Sequence, residues 1–305
     1  MLNMKQNERM RIFLNWRQMI PTVITLGAML SGFLSIVYVV QAFQLVNDPM
    51  KMNTCFLDAA KLIMLAMILD GIDGNVARWL KGTSEFGAEL DTYVDMTAFG
   101  LAPAILIFAV AMKDDTPSLI RVLLPSAVAL SGVVRLARFK VADPLRGQGG
   151  YGGLPITANA GWVALFVFIS QFRPAGSEPA ADDIFSLKSG WFAMVFLIGI
   201  LIFISLQVSN VRYPKPTKKA ALFIPCVILV FLFVLLPPKY SIWVAVVMLM
   251  LGLAYAVFGP MYVKGVAIHQ ARKEKNGMLT QDADDAQHKR RRRRPRRKAR
   301  PASAE

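Results

Sequence analysis

The sequence predicts an all-α fold, a polytopic transmembrane helical bundle of about eight spans built on a six-helix core. Three observations carry this. The 305 residues are 55% hydrophobic, above the roughly 45–50% usual for a soluble domain. The apolar residues fall in blocks of about 18–25, the length that crosses a ~30 Å hydrocarbon layer as a helix. The linkers between blocks alternate between strongly basic and short or acidic, as the two sides of a membrane require.

The spans read in order as roughly Met19–Phe43, Phe56–Leu80, Phe86–Met112, Leu119–Phe139, Thr157–Phe172, Trp191–Val208, Ala220–Leu236 and Ile242–Val263. The first follows a basic N-terminus, as a signal peptide's apolar region does. It is longer than the usual 7–15 residues of such a region, so it reads as a retained helix. The fifth is short and rich in small residues. The basic linkers carry Lys5, Arg9, Arg11 and Arg17, then Arg78 and Lys81, then Arg135, Arg138, Lys140 and Arg146, then Arg212, Lys215, Lys218 and Lys219. These are expected to face the cytoplasm, which places both termini inside. The predicted parts are a cytoplasmic segment 1–18, a core 19–219, an accessory helix pair 220–263 and a basic tail 264–305.

The formal charge is +15, and much of it lies in the run KRRRRRPRRKAR from Lys289 to Arg300. Such a run is drawn to anionic lipid, at about 1 kcal/mol per basic residue near the surface. No other feature supports a nucleic-acid partner. Two cysteines, Cys55 and Cys226, make neither a disulfide framework nor a zinc site. The two histidines, His269 and His288, lie in the polar C-terminal region, so acid–base chemistry falls to carboxylates.

Charge inside a membrane helix is costly and marks a functional site by default. Asp70 and Asp73 are three apart on the second span, and Asp91 and Asp95 are four apart on the third. Each pair therefore shares a helix face. The short connection around Lys81–Glu85 makes the two helices antiparallel neighbours, so the faces can meet. Four converging carboxylates need cations, and hard divalent ions such as Mg²⁺ or Mn²⁺ prefer oxygen ligands. Gly74, Ala77 and Gly87 remove bulk where a ligand must approach. Arg78 supplies a guanidinium suited to phosphate. A cation transporter would also use intramembrane aspartates, but it predicts broken helices in inverted repeats. The chain has no evident repeat, and the aspartates sit near the cytoplasmic ends of their spans.

Written out, the segment is DGIDGNVARWLKGTSEFGAELDTYVD. It resembles the signature D-x2-D-G-x2-A-R-x8-G-x3-D-x3-D of the CDP-alcohol phosphatidyltransferase family at all eight fixed positions. The resemblance extends over roughly residues 18–220. It implies transfer of a phosphatidyl group from a CDP-linked lipid to an alcohol, with release of CMP. It also implies two divalent metal ions per site, held by Asp70, Asp73, Asp91 and Asp95, with Asp95 also the general base. Thr22, Thr25, Gly74, Ala77, Arg78, Ser84 and Gly87 are the residues it places on the CDP-lipid, with Thr83 as a substitute for Ser84. A homodimer in a bacterial cytoplasmic membrane, with the active site facing the cytoplasm, is the further expectation.

The segments MTAFGLAPA (Met96–Ala104), RLARF (Arg135–Phe139), GGLP (Gly152–Pro155) and SNVRYP (Ser209–Pro214) are similar to those of bacterial membrane-type phosphatidylserine synthases. They imply CDP-diacylglycerol as donor and L-serine as acceptor, with choline, glycerol 3-phosphate or an ether-lipid donor as alternatives. Arg135 and Arg138, three apart, are the candidates for the serine carboxylate. Gly149, Gly150, Gly152 and Gly153 read as a substrate gate or a turn. In one place the chain departs from the family. The first helix of the family begins with Pro-Asn and has a second Asn, whereas PTVITLGAMLSGF (Pro21–Phe33) has Thr22 and Ala28 there. Thr22 keeps a hydroxyl, while Ala28 offers no hydrogen bond.

Overall fold

A computed structural model describes residues 15–110, 118–142, 150–173, 185, 187, 190–214, 220–263 and 265. The segment 1–14, the basic tail, Arg146, Gly149, and Lys215, Lys218 and Lys219 lie outside the described residues. Residues Met1–Pro260 form one unit. Of the second, Met261–Glu305, only residues 261–263 and 265 are described.

The described chain is helical along each of the eight predicted spans. The helices are α1 (Trp16–Gln44), α2 (Pro49–Trp79), α3 (Glu85–Val94), α4 (Ala102–Val110), α5 (Ser118–Ala142), α6 (Ile156–Gln171), α7 (Gly190–Val208), α8 (Ala220–Leu235) and α9 (Pro238–Val263). Among the described residues, five helical stretches are long and apolar enough to cross a membrane: Trp16–Gln44, Glu85–Val110, Arg121–Val141, Gly190–Val208 and Pro238–Val263. The protein is thus an all-α integral membrane protein. Helix α2 starts at Pro49, seven residues ahead of the predicted Phe56. Asp48 caps it, its carboxylate accepting from the Lys51 amide at 3.2 Å, and Pro49 occupies the first turn, where its missing N–H costs nothing.

Helices α1 and α2 pack antiparallel along their length. The Ser35 hydroxyl donates to the Ala59 carbonyl at 2.9 Å, and the Thr25 hydroxyl lies 2.5 Å from Asp73 Oδ2 near the other end. The outer face of α1 carries exposed Val23, Leu26, Leu30 and Phe33, as a lipid-facing surface does. Helix α6 is buried on every side from Asn159 to Ser170. A helix apolar all round belongs at the centre, and the others wrap it. Trp162 stacks on Phe203 of α7 at 5.0 Å between ring centroids, and Phe168 meets Phe233 of α8 edge-on at 4.7 Å.

The α7 and α6 ends are tied by a small antiparallel ribbon that the all-α reading did not include. Strand β1 (Gly150–Gly152) pairs with β2 (Arg212–Pro214), Tyr151 opposite Tyr213. Gly153 follows with φ +79°, and a Cβ there would lie 2.4 Å from the Gln207 carbonyl oxygen. Its amide donates to Val211 O at 2.8 Å, and that of Leu154 to Leu206 O at 3.0 Å. The described part of the glycine loop is therefore a strand and tight turn joining the GGLP and SNVRYP segments.

Lys61 attaches the last helices to α2. Its ammonium donates to the carbonyls of Leu236 at 2.7 Å and Val234 at 3.3 Å, and lies 5.8 Å from the Phe168 ring centroid. The Val234 carbonyl is in the last turn of α8, where Pro238 four residues on has no N–H to give it, and the Leu236 carbonyl just beyond also accepts from the Ser241 hydroxyl at 2.8 Å. Lys61→Met is expected to cost about 1–2 kcal/mol, since the Ser241 hydroxyl still reaches the Leu236 carbonyl but lipid offers no donor in place of the ammonium at Val234. Thermal unfolding of the detergent-solubilised protein against wild type measures this.

Candidate active site

The third span is one rod from Glu85 to Val110 with a π-helical segment, Asp95–Leu101, in its middle. Such segments are rare and concentrate at functional sites. Asp95 opens it. Gly32 of α1 packs against it so closely that a Cβ would lie 2.6 Å from Ala98.

Helices α2 and α3 are joined by a turn in which Lys81 adopts φ +53°. The next residue, Gly82, is pressed against α1, where a Cβ would lie 2.0 Å from the Arg17 carbonyl oxygen. Any side chain at Gly82 would push the turn off the start of α1. Ser84 caps α3, accepting from the Gly87 amide at 3.0 Å. The start of α1, the end of α2 and the start of α3 thus meet around one open cleft with about 620 Å³ of free space.

Asp70, Asp73 and Asp91 each present a carboxylate oxygen within 4.8 Å of the others. Asp73 is buried, Asp70 half-buried and Asp91 exposed. Two ionised carboxylates at that spacing repel by about 3–4 kcal/mol at an effective dielectric constant near 20. The donor set consists of hard oxygens, so the three fit a divalent cation and could hold one. Asp95 stands outside this group. The charges of Asp91, Asp73 and the buried Arg135 act on it.

Every residue expected at the CDP-lipid lines the cleft: Thr22, Thr25, Gly74, Ala77, Arg78, Ser84 and Gly87. Asp73 and Asp91 line it as well. The Thr25 hydroxyl lies 2.5 Å from Asp73 and 2.9 Å from the Pro21 carbonyl, and its single proton favours the charged acceptor. Thr22 donates to Gln18 O at 2.7 Å, which leaves its oxygen lone pairs for a ligand. Ala28 is buried in the packing of α1. Sequence reasoning missed Gln18, Gly82 and Ala88, which also line the cleft. Gly82 had a signal, the Lys-Gly pair in a short turn. Gln18 had none, because its place depends on how α1 meets the turn.

The two arginines separate. Arg135 is buried beside Asp95. Arg138 is exposed and donates to the Val208 carbonyl and to Asn210 Oδ1, so it caps the end of α7. Lys140 of α5 pairs with Glu89 of α3 across the outer surface.

The sequence model of the CDP-alcohol phosphatidyltransferase family matches residues 18–199. A CDP-diacylglycerol–serine O-phosphatidyltransferase of Helicobacter pylori is 30% identical over 198 residues, 65% of this chain and 73% of its own. One of Methanocaldococcus jannaschii is 32% identical over 210 residues, 68% of this chain and 86% of its own. An archaetidylserine synthase of Methanothermobacter thermautotrophicus is 34% identical over 161 residues, 52% of this chain and 58% of its own. The match covers all three helices that form the cleft, together with the aspartates between them, and the chain belongs to the CDP-alcohol phosphatidyltransferase family.

Proposed function

We propose that the protein transfers the phosphatidyl group of CDP-diacylglycerol to the hydroxyl of L-serine, giving phosphatidylserine and CMP. The observation that carries this is the group of three aspartate oxygens within 4.8 Å of one another, beside a cleft lined by the family's motif residues. Asp70, Asp73 and Asp91 hold the divalent ions, Mg²⁺ or Mn²⁺, and Asp95 adds a carboxylate next to them. When bound, such ions neutralise the diphosphate and stabilise the departing CMP.

The chain's own groups do the rest. Arg78, the bare backbone at Gly74 and the N-terminus of α3 at Ser84 and Gly87 orient the diphosphate. Thr22, Thr25 and Ala77 shape the nucleotide's side of the cleft. The serine oxygen attacks the phosphatidyl phosphorus. The bond from that phosphorus to the bridging oxygen breaks, and the bond's electron pair leaves with CMP. Asp95 takes the serine proton. A free aspartate is a weak base, so alignment and exclusion of water supply much of the effect. Arg135 is the partner for the serine carboxylate, because it is buried beside the base, whereas Arg138 is committed to the end of α7. The relatives named for serine favour this acceptor. The enzyme works as a homodimer in a bacterial cytoplasmic membrane, with cleft and termini on the basic, cytoplasmic side.

The test is an acceptor assay with purified protein, CDP-diacylglycerol, Mn²⁺ and labelled serine, choline or glycerol 3-phosphate. CMP and labelled lipid should appear with serine alone. Transfer to choline or glycerol 3-phosphate but not serine overturns the acceptor. Transfer to serine only from an ether-linked donor overturns the donor.

Thr25→Val removes the hydroxyl that fixes Asp73. A supporting partner of a metal ligand is worth about 10–100-fold in metal affinity. The Mn²⁺ concentration for half-maximal activity should rise by about that factor.

A further inference from the structure

We propose that Asn75 is a positioning residue that holds the Arg78 guanidinium over the cleft before the nucleotide arrives. The inference rests on reading Arg78 as a contact for the diphosphate. Asn75 falls at an unspecified position of the family signature and does not line the cleft. Its amide is oriented by two bonds. Nδ2 donates to the Gly71 carbonyl at 2.6 Å, one turn back on α2. Oδ1 accepts from Arg78 Nη2 at 2.8 Å, one turn forward. A flipped amide would set a donor against the guanidinium and an acceptor against the carbonyl, so only this orientation satisfies both.

The geometry divides the guanidinium's work. Nη2 is tied back to Asn75. Nη1 lies across Gly74, where a Cβ would stand 3.7 Å from it. Gly74 and Arg78 both line the cleft. The guanidinium therefore rests on bare backbone with Nη1 beside the residue that opens onto the ligand. An exposed arginine otherwise samples many rotamers and loses that freedom on binding. Pre-organising it shifts that cost from binding to folding. Asn is a weaker helix former than Ala, so its place inside α2 is not explained by helix propensity.

The test is a double-mutant cycle, with KM for CDP-diacylglycerol, kcat and thermal unfolding measured for wild type, Asn75→Ala, Arg78→Ala and the double variant. Asn75→Ala should raise KM by about three- to ten-fold, the scale of one hydrogen bond to a charged group partly replaced by water, with kcat nearly unchanged. Its unfolding temperature should not fall, because Ala favours the helix. In the Arg78→Ala background the Asn75 substitution should have no further effect on KM. An equal rise in both backgrounds overturns the inference, because Asn75 would then act without Arg78. Unchanged KM in Asn75→Ala, with a raised KM in Arg78→Ala, overturns it while sparing the role of Arg78. Unchanged KM in Arg78→Ala removes the role of Arg78 itself, and the inference with it.

Discussion

Asp91→Asn is expected to reduce CMP release by at least about a thousand-fold, the scale of several kcal/mol of lost charge stabilisation. Asp91 is the member of the carboxylate group that comes from the third span, and the other two both come from α2. Removing its charge leaves the two α2 carboxylates in the group, with Asp95 beside them as the remaining aspartate of the third span. It also leaves the shape of the cleft intact, because Asp91 is exposed and Asn matches its size. The loss should therefore come with weakened Mn²⁺ binding and an unfolding temperature in metal-free buffer no lower than that of wild type, because one repelling charge is gone. Mn²⁺ titration by electron paramagnetic resonance separates this from misfolding. An Asp91→Asn enzyme with wild-type Mn²⁺ affinity contradicts the assignment.

Asp95→Asn should lose about 10²–10⁴-fold in kcat, the usual contribution of a positioned general base. Its signature differs from that of Asp91. Asp95 lies outside the group of three and opens the π-helical segment. The variant should keep Mn²⁺ binding at the three remaining aspartates and keep KM for CDP-diacylglycerol within a few-fold. Full activity in this variant refutes the base. Loss of Mn²⁺ binding equal to that of Asp91→Asn would make Asp95 a ligand first.

The contrast between these two aspartates is where sequence and structure part. Spacing alone put Asp91 and Asp95 on one helical face, which treats them as equivalent. The structure distinguishes them by degree: Asp91 completes the group with Asp70 and Asp73, and Asp95 lies just outside it, where its charge acts on Asp70 and meets those of Asp91, Asp73 and Arg135. Nothing in DMTAFGL marks a π segment, and the close approach of Gly32 to Ala98 within it is a tertiary contact that no local pattern announces.

The spans were legible because lipid imposes length and polarity on each one separately. The fifth was the least typical, being short and rich in small residues. Its structure supplies the reason, since a central helix packs tightly against its neighbours and meets little lipid. The cleft residues of α2 and α3 other than Ala88 were legible because they are fixed positions of a single contiguous motif. Gln18 was not, since it joins the cleft only through tertiary packing. The two arginines looked alike at i and i+3, and only the position of the α7 end assigned Arg138 to a cap. The ribbon between Gly150–Gly152 and Arg212–Pro214 pairs residues some sixty positions apart, beyond the reach of any local pattern.

The most direct test of the account is anomalous X-ray diffraction from crystals grown with Mn²⁺ and CDP-diacylglycerol. Mn²⁺ peaks are expected among the carboxylates of Asp70, Asp73 and Asp91, with the diphosphate on the ions and Arg78 beside it. Mn²⁺ absent from that group, or a nucleotide bound away from the cleft between α1, α2 and α3, would contradict it.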